Sequence, residues 1–194
     1  HFTAAANAQL QVDLTGCGSF EEIRQRISRF VRERRIPAGQ WVMAQGYDHT
    51  ALAEGIHPTL ALLDAAAPEH PLLLQHQSGH VGVVNSRGLK QLGITPETKA
   101  PSGGVIGVKD GRLTGYLEEN AFISYQKKLP MPSGEELMAA YRMAQELYLS
   151  HGIATVQEGL LAPQMVPLYQ ALLQSGLLQV DLVGYGEEQN GDAL

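Results

Sequence analysis

The sequence predicts an α/β fold in which a framework of alternating strands and helices is interrupted by a middle segment of different character. Before residue 40 and after residue 130, strand-like runs are separated by amphipathic helices, as in parallel βαβ units. Between these parts the strands and helices are shorter, and two of the strands form a hairpin pattern. We therefore predict a first βα part (residues 1–39), an inserted α+β subdomain (40–129) and further βα units (130–194).

The first part is predicted to be a strand followed by an amphipathic helix. Residues 10–14 alternate apolar and polar side chains, whereas residues 1–7 are small and carry no pattern. Ser19-x-x-Glu22 is a capping box, and apolar residues then recur at helical spacing until Pro37.

The middle segment is predicted to contain short strands, small helices and one tight hairpin. Strands are expected around Trp41 and at residues 71–74, and Thr59 can cap a short helix between them. Asp110-Gly111 lies between two apolar runs, which is a strong signal for a two-residue hairpin turn.

The third part returns to the βα pattern. A second capping box, Ser133-x-x-Glu136, opens a long helix. A strand (153–156), a helix (163–174) and a strand (178–183) follow, which predicts a parallel βαβ unit. The βα units are too few to close a (β/α)₈ barrel, so the residues alone leave two alternatives: an open α/β domain or a piece of a barrel.

Composition and charge exclude several classes of protein. The 194 residues are 44% hydrophobic and 18% charged, which suits a globular, soluble protein. The formal charge of -6 argues against a nucleic-acid surface. Cys17 is the only cysteine, which mildly favours a reducing compartment, and no apolar run approaches the roughly 20 residues of a membrane span. We expect a cytoplasmic protein with a small-molecule substrate and no nucleic-acid or membrane partner; a homo-oligomer stays open.

The candidate substrate-binding residues follow a stretch that is apolar on entry and polar on exit. Residues 71–74 lead into a polar cluster that includes His76 and His80. The His80 imidazole could orient a substrate carbonyl or amide, or it could be tied into its own turn. Asn85 could also face a substrate, although a role as the N-cap of a helix beginning at Ser86 is favoured.

The remaining histidines give weaker evidence for a functional site. Asp48 and His49 could form an acid/base or metal pair, but neighbours in a loop need not converge, and a solvated loop is the favoured interpretation. His57, His70 and His76 have no partner at ligand spacing, so we expect them to be surface or packed histidines.

Glu158 follows the predicted strand at residues 153–156, at the end where α/β barrels place their active sites. The slightly favoured alternative is a strand-end carboxylate in water.

Several short motifs occur in a characteristic order. They are Leu63-Asp64-x-x-x-Pro68, the apolar run from Pro71, His80-x-x-x-x-Asn85-Ser86, Leu92-Gly93-Ile94 and Gly103-Gly104. This order resembles amidohydrolase family 3 of the metal-dependent amidohydrolases, a group that includes formamide deformylases. The resemblance extends over residues 13–156.

The resemblance implies a partial TIM-type (β/α) barrel framework with an inserted α+β subdomain, and hydrolysis of an amide or related C–N bond. It places His1 on the second histidine of a His-x-His metal motif, with zinc or a similar divalent ion as cofactor; alternatively His1 is only a terminal residue. It also implies that Glu158 lines the pocket. The other metal ligands are expected outside this chain, so we expect the segment alone to lack the metal and to be inactive. The alternative is a non-catalytic binding or regulatory protein on the same scaffold.

Overall fold

The computed structural model describes residues 2–186, apart from the side chains of Leu160 and Gln164, and these residues form two compact units. The larger unit comprises residues 11–130, and the smaller unit comprises residues 2–10 together with 131–186. In the described part of the chain, no helix is both long and apolar enough to cross a membrane.

The helices and strands alternate along much of the chain. In order they are α1 (Phe2–Ala8), β1 (Val12–Asp13), α2 (Phe20–Glu33), β2 (Val42–Tyr47), α3 (Leu60–Ala66), β3 (Leu72–His76), β4 (Val81–Val84), α4 (Ser86–Gln91), β5 (Gly104–Lys109), β6 (Arg112–Glu119), α5 (Asn120–Gln126), α6 (Gly134–Ser150), β7 (Thr155–Leu161), α7 (Val166–Gln174) and β8 (Asp181–Gly186). A single 3₁₀ turn, Pro163–Met165, precedes α7.

The larger unit is built on a six-stranded mixed sheet with the order β1-β2-β3-β4-β6-β5. β1, β2 and β3 are parallel and are connected by α2 and α3, whereas β4, β6 and β5 pair antiparallel. Two parallel βαβ connections are therefore followed by an antiparallel half. The predicted α/β class is confirmed.

The central strand β3 is buried on both faces of this sheet. Leu72, Leu73 and Leu74 are each fully buried. Leu72 and Leu74 pack in one cluster with side chains of α2 and α3, and Leu73 packs in another with side chains of α4 and α5. Because side chains alternate along a strand, these clusters lie on opposite faces, which explains the continuous apolar run.

The predicted helix starts are confirmed where a side chain caps the backbone. The side chains of Ser19, Thr59, Asn85 and Ser133 each accept a hydrogen bond from a backbone N–H in the first turn. Ser133 forms the complete capping box. At the start of α2 the box is modified, because the Glu22 carboxylate accepts the N–H of Gly18 at 2.9 Å.

The hairpin between β5 and β6 turns at Asp110-Gly111, as predicted. Lys109 pairs with Arg112, and the two turn residues have φ angles of 52° and 73°. Positive φ at both central residues matches the right-handed twist of the strands, and it is the reason for Asp-Gly at this position.

The smaller unit contains a two-stranded parallel sheet, β7 and β8, connected by α7. The predicted parallel βαβ unit is thus confirmed, and β6 and β7 lie in different sheets. α1 was not predicted from its small residues. Its Phe2 and Ala6 are fully buried in a cluster with Tyr141 and Ala144 of α6, and this packing stabilises a helix that is too short to persist alone.

The compact units divide at residues 10 and 130, whereas the sequence suggested divisions at 39 and 129. Residues 11–39 pack with the larger unit, because Ile23 and Ile27 of α2 are buried against the sheet formed mainly by the middle segment. The division of the intact protein into domains stays a prediction, as does the partial barrel.

Because β3 is buried on both faces of the sheet, truncating one of its leucines should destabilise the protein. We expect Leu73→Ala to lower the free energy of unfolding of the larger unit by about 2–5 kcal/mol, because it removes transfer energy and leaves a cavity. Leu173→Ala is the matched control, since that leucine is 65% exposed. Chemical denaturation monitored by circular dichroism measures both variants, and equal effects would contradict the described packing.

Candidate functional site

The polar groups of greatest interest lie where β2 and β3 end. The two strands run parallel, and Tyr47 at the end of β2 pairs with His76 at the end of β3. The carboxyl ends of parallel strands are where open α/β sheets place ligand sites. The segment after β2 supplies Asp48, His49 and His57. We call Asp48, His49, His57 and His76 the histidine cluster.

The imidazoles of the histidine cluster are in direct contact. His49 Nδ1 lies 3.2 Å from His76 Nε2. The rings of His49 and His57 stack with centroids 4.0 Å apart and an angle of 23° between their planes. His57 Nδ1 lies 3.1 Å from the hydroxyl of Tyr47, which anchors the third ring to the end of β2.

The hydrogen bonds of the histidine cluster fix the protonation of two rings. The backbone N–H of Ser78 donates to His76 Nδ1 at 3.1 Å, so the neutral ring carries its proton on Nε2. The His76 Nε2–H donates in turn to His49 Nδ1. His49 therefore carries its own proton on Nε2.

The electrostatics favour neutral imidazoles beside an ionised carboxylate. Burial, with smaller contributions from His49 and His76, lowers the pKa of His57 to about 4. Burial and then His49 also lower the pKa of His76, although Asp48 opposes this. Hydrogen bonds from the hydroxyl and the N–H of Thr50 lower the pKa of Asp48. Neutral imidazole and ionised carboxylate are the forms that bind divalent metals.

Three members of the histidine cluster could hold a metal ion together. One ligand atom from each of Asp48, His49 and His76 lies within 4.8 Å of the other two, and all three residues are half-buried. Asp48 and His49 lie in a loop, as expected, but both are half-buried and approach His76, so the loop is not fully solvated. His57 and His76 are packed against neighbouring rings, which agrees with the expectation of surface or packed histidines. His70 is packed, as expected: it is buried, and its Nδ1 lies 3.2 Å from the carbonyl of Gln40.

His80 lies on an exposed turn between β3 and β4. Its Nδ1 is 3.0 Å from the carboxylate of Glu119, and the two side chains are 59% and 51% exposed. The backbone N–H of Glu119 donates to the carbonyl of His80 at 2.7 Å, so the two residues are held together twice. The role of His80 toward a substrate stays a prediction.

Asn85 is fully buried and caps α4. Its Oδ1 accepts the backbone N–H groups of Leu72 and Gly88, both at 2.9 Å, and its Nδ2 donates to the carbonyl of His70 at 2.8 Å. The favoured capping role is confirmed. The role in substrate binding stays a prediction.

Glu158 is not a carboxylate in water, because it is only 5% exposed. β7 extends to Leu161, so Glu158 lies within the strand and not at its end. Its Oε2 accepts the N–H of Thr3 at 2.8 Å and the hydroxyl of Tyr169 at 2.7 Å. Burial acts to raise the pKa of Glu158, but the hydrogen bonds from Thr3 and Tyr169 outweigh it and lower the pKa. Its role in lining a pocket stays a prediction.

His1, the candidate metal ligand, lies outside the described residues, so its role stays a prediction.

The hydrogen bonds of Asn85 predict a structural effect of substitution. We expect Asn85→Ala to lower the free energy of unfolding by about 2 kcal/mol or more, because it removes an N-cap and leaves buried backbone groups of Leu72 and His70 without partners. Thr59→Ala, which removes an exposed cap of α3, is the control and should cost about 1 kcal/mol. Unchanged unfolding of the Asn85 variant would refute the structural role.

Comparison with known proteins places the chain in context. The model of a family described as "Amidohydrolase family" matches residues 1–193. The chain is 34% identical to YtcJ of Bacillus subtilis (strain 168) over 132 residues, which cover 67% of this chain and 24% of that protein. It is 36% identical to the N-substituted formamide deformylase of Arthrobacter pascens over 125 residues, which cover 62% of this chain and 22% of that enzyme. The chain thus spans about a quarter of the length of these curated relatives.

A solved structure shares the fold. The crystal structure of an uncharacterized metal-dependent hydrolase from Pyrococcus furiosus superposes with a TM-score of 0.66 at 23% identity, covering 99% of this chain and 37% of that one.

Proposed function

This chain belongs to the amidohydrolase family, and we propose on that premise that the intact protein is a metal-dependent hydrolase of amide or related C–N bonds in a small molecule. The observation that carries the proposal is the family match over residues 1–193, and the 36% identity to an N-substituted formamide deformylase supports the bond type. A TIM-type barrel framework, zinc as the metal and a cytoplasmic location belong to the same proposal. The non-catalytic alternative is not favoured, because the named relatives include a deformylase and a metal-dependent hydrolase.

A bound divalent metal would lower the pKa of its water toward neutrality and polarise the scissile carbonyl. The resemblance assigns one ligand of that metal to this chain, His1, which lies outside the described residues. Catalytic zinc usually has three protein ligands. The other ligands of that metal are therefore proposed to lie outside this chain.

His80 is the described residue best suited to orient a substrate. Its Nδ1–H donates to the Glu119 carboxylate at 3.0 Å, so the neutral ring presents Nε2 as a hydrogen-bond acceptor. Since His80 is exposed, Nε2 is accessible to an amide N–H of a substrate. Glu119 has a φ of 49°, in the left-handed region that non-glycine residues adopt at a cost, and such strain is often found at functional sites.

The hydrolase proposal is tested with the full-length protein. We expect it to release amine from an N-substituted formamide or a related small amide, to lose this activity on treatment with a chelator and to regain it with zinc. The isolated 194-residue chain, assayed beside it, should hydrolyse none of these substrates, because one assigned ligand cannot hold a catalytic metal. A metal-loaded full-length protein that turns over no amide would refute the hydrolase proposal. Activity of the isolated chain would refute the assignment of the other metal ligands to residues outside this chain.

The proposed role of His80 predicts a kinetic defect when its imidazole is removed. In the full-length enzyme we expect His80→Ala to lower kcat/KM by at least about tenfold with an unchanged thermal unfolding midpoint, because an orienting contact contributes to the transition state more than to the core. Glu119→Gln keeps the size of the hydrogen-bond partner and should cause a smaller loss. His151→Ala removes another exposed histidine and serves as the control. Lower stability of His80→Ala with normal kinetics would indicate a structural role.

A further inference from the structure

We propose that Asp48, His49 and His76 form a binding site for a divalent transition metal, with zinc as the best fit. The proposal rests on the geometry of the larger unit and does not depend on the hydrolase activity. It concerns an ion other than the catalytic metal to which His1 is assigned, and it replaces the expectation that the segment alone lacks a metal. The ligand set of two imidazoles and one carboxylate is one that zinc uses in proteins.

The spacing of the two imidazole nitrogens suits a tetrahedral ion. Zinc–nitrogen bonds are about 2.0–2.1 Å, so two nitrogens at a tetrahedral angle lie about 3.3 Å apart. His49 Nδ1 and His76 Nε2 are separated by 3.2 Å. The histidines follow or end neighbouring paired strands, so the rigid sheet sets this distance.

Asp48 supplies the negative charge that two neutral imidazoles lack. A ligand oxygen of its carboxylate lies within 4.8 Å of both histidine ligand atoms. The carboxylate is oriented by Thr50, whose N–H and hydroxyl donate to Oδ1 at 2.9 and 2.7 Å. Such outer partners are typical of carboxylates that bind metals. Three protein ligands leave one tetrahedral position for water or a small ligand.

Without metal, the proton of His76 Nε2 occupies the space between the two histidines. Metal binding requires His76 to carry its proton on Nδ1 instead, where the Nδ1–H can donate a hydrogen bond to the hydroxyl oxygen of Ser78, 2.9 Å away. The backbone N–H of Ser78 then loses its acceptor, but Ser78 is exposed and water can replace the lost bond. The exchange replaces the hydrogen bond between His76 and His49 with two metal–nitrogen bonds, leaves the Ser78 N–H to water and keeps His49 in its present tautomer.

His57 holds the imidazole of His49 in place. Its ring stacks on His49 at 4.0 Å and is itself anchored by the Tyr47 hydroxyl. It therefore acts as a positioning residue and is not one of the three ligands.

The test is metal binding by the 194-residue chain, with every variant made in a His1→Ala background so that the terminal imidazole does not contribute. We expect one equivalent of zinc by titration calorimetry, and cobalt absorption bands typical of tetrahedral coordination. His49→Ala and His76→Ala should each weaken zinc binding by about 100-fold or more, since loss of an outer-shell partner alone costs 10–100-fold.

Two further variants keep the test decisive. His151→Ala removes an exposed histidine elsewhere in the chain and should leave zinc binding unchanged. Asp48→Asn keeps the shape of the side chain and should weaken binding without altering the circular dichroism spectrum, so a folding defect in a histidine variant cannot produce the result alone. Absence of zinc binding, or stoichiometric binding that survives both histidine substitutions, would overturn the proposal.

Discussion

The parallel pairing of β2 with β3 is the interaction on which the larger unit depends. β3 is buried on both faces, so its three leucines hold α2 and α3 against one side of the sheet and α4 and α5 against the other. The same pairing places Tyr47 beside His76 at the ends of the two strands. The position of the histidine cluster is therefore a consequence of core packing, since a change of register by one residue would turn the leucines and the histidine to the opposite faces.

Asn85 shows how this core accommodates a polar group. Its amide satisfies the backbone at the start of β3 and the first turn of α4 at the same time. α4 also lies very close to the sheet: a Cβ added to Gly88 would come within 2.5 Å of Val84 Cγ1 and 2.9 Å of the Trp41 ring. The missing side chain of Gly88 permits this approach, and Asn85 accepts the Gly88 N–H in the first turn of the helix.

The features that were predictable from the sequence are those encoded within a few residues. The caps at Ser19, Thr59 and Ser133 and the Asp110-Gly111 turn are local signals, and the structure contains all of them. The histidine cluster escaped prediction because its histidines are separated by 8 and 19 positions and converge only through strand pairing and loop closure. Burial of Glu158 was missed for the same reason: its partners, Thr3 and Tyr169, come from distant parts of the chain.

The contrast between these polar groups explains why the histidine cluster is the better candidate for binding. Asn85 and Glu158 are buried with short hydrogen bonds to protein groups, so folding alone accounts for them. The cluster instead gathers three half-buried imidazoles, and burial, with smaller contributions from the neighbouring rings, lowers the pKa of His76 and holds the pKa of His57 near 4. Apolar side chains at the ends of β2 and β3 would avoid that cost. Where a sequence departs from the locally most stable choice, the departure is more often explained by function than by folding.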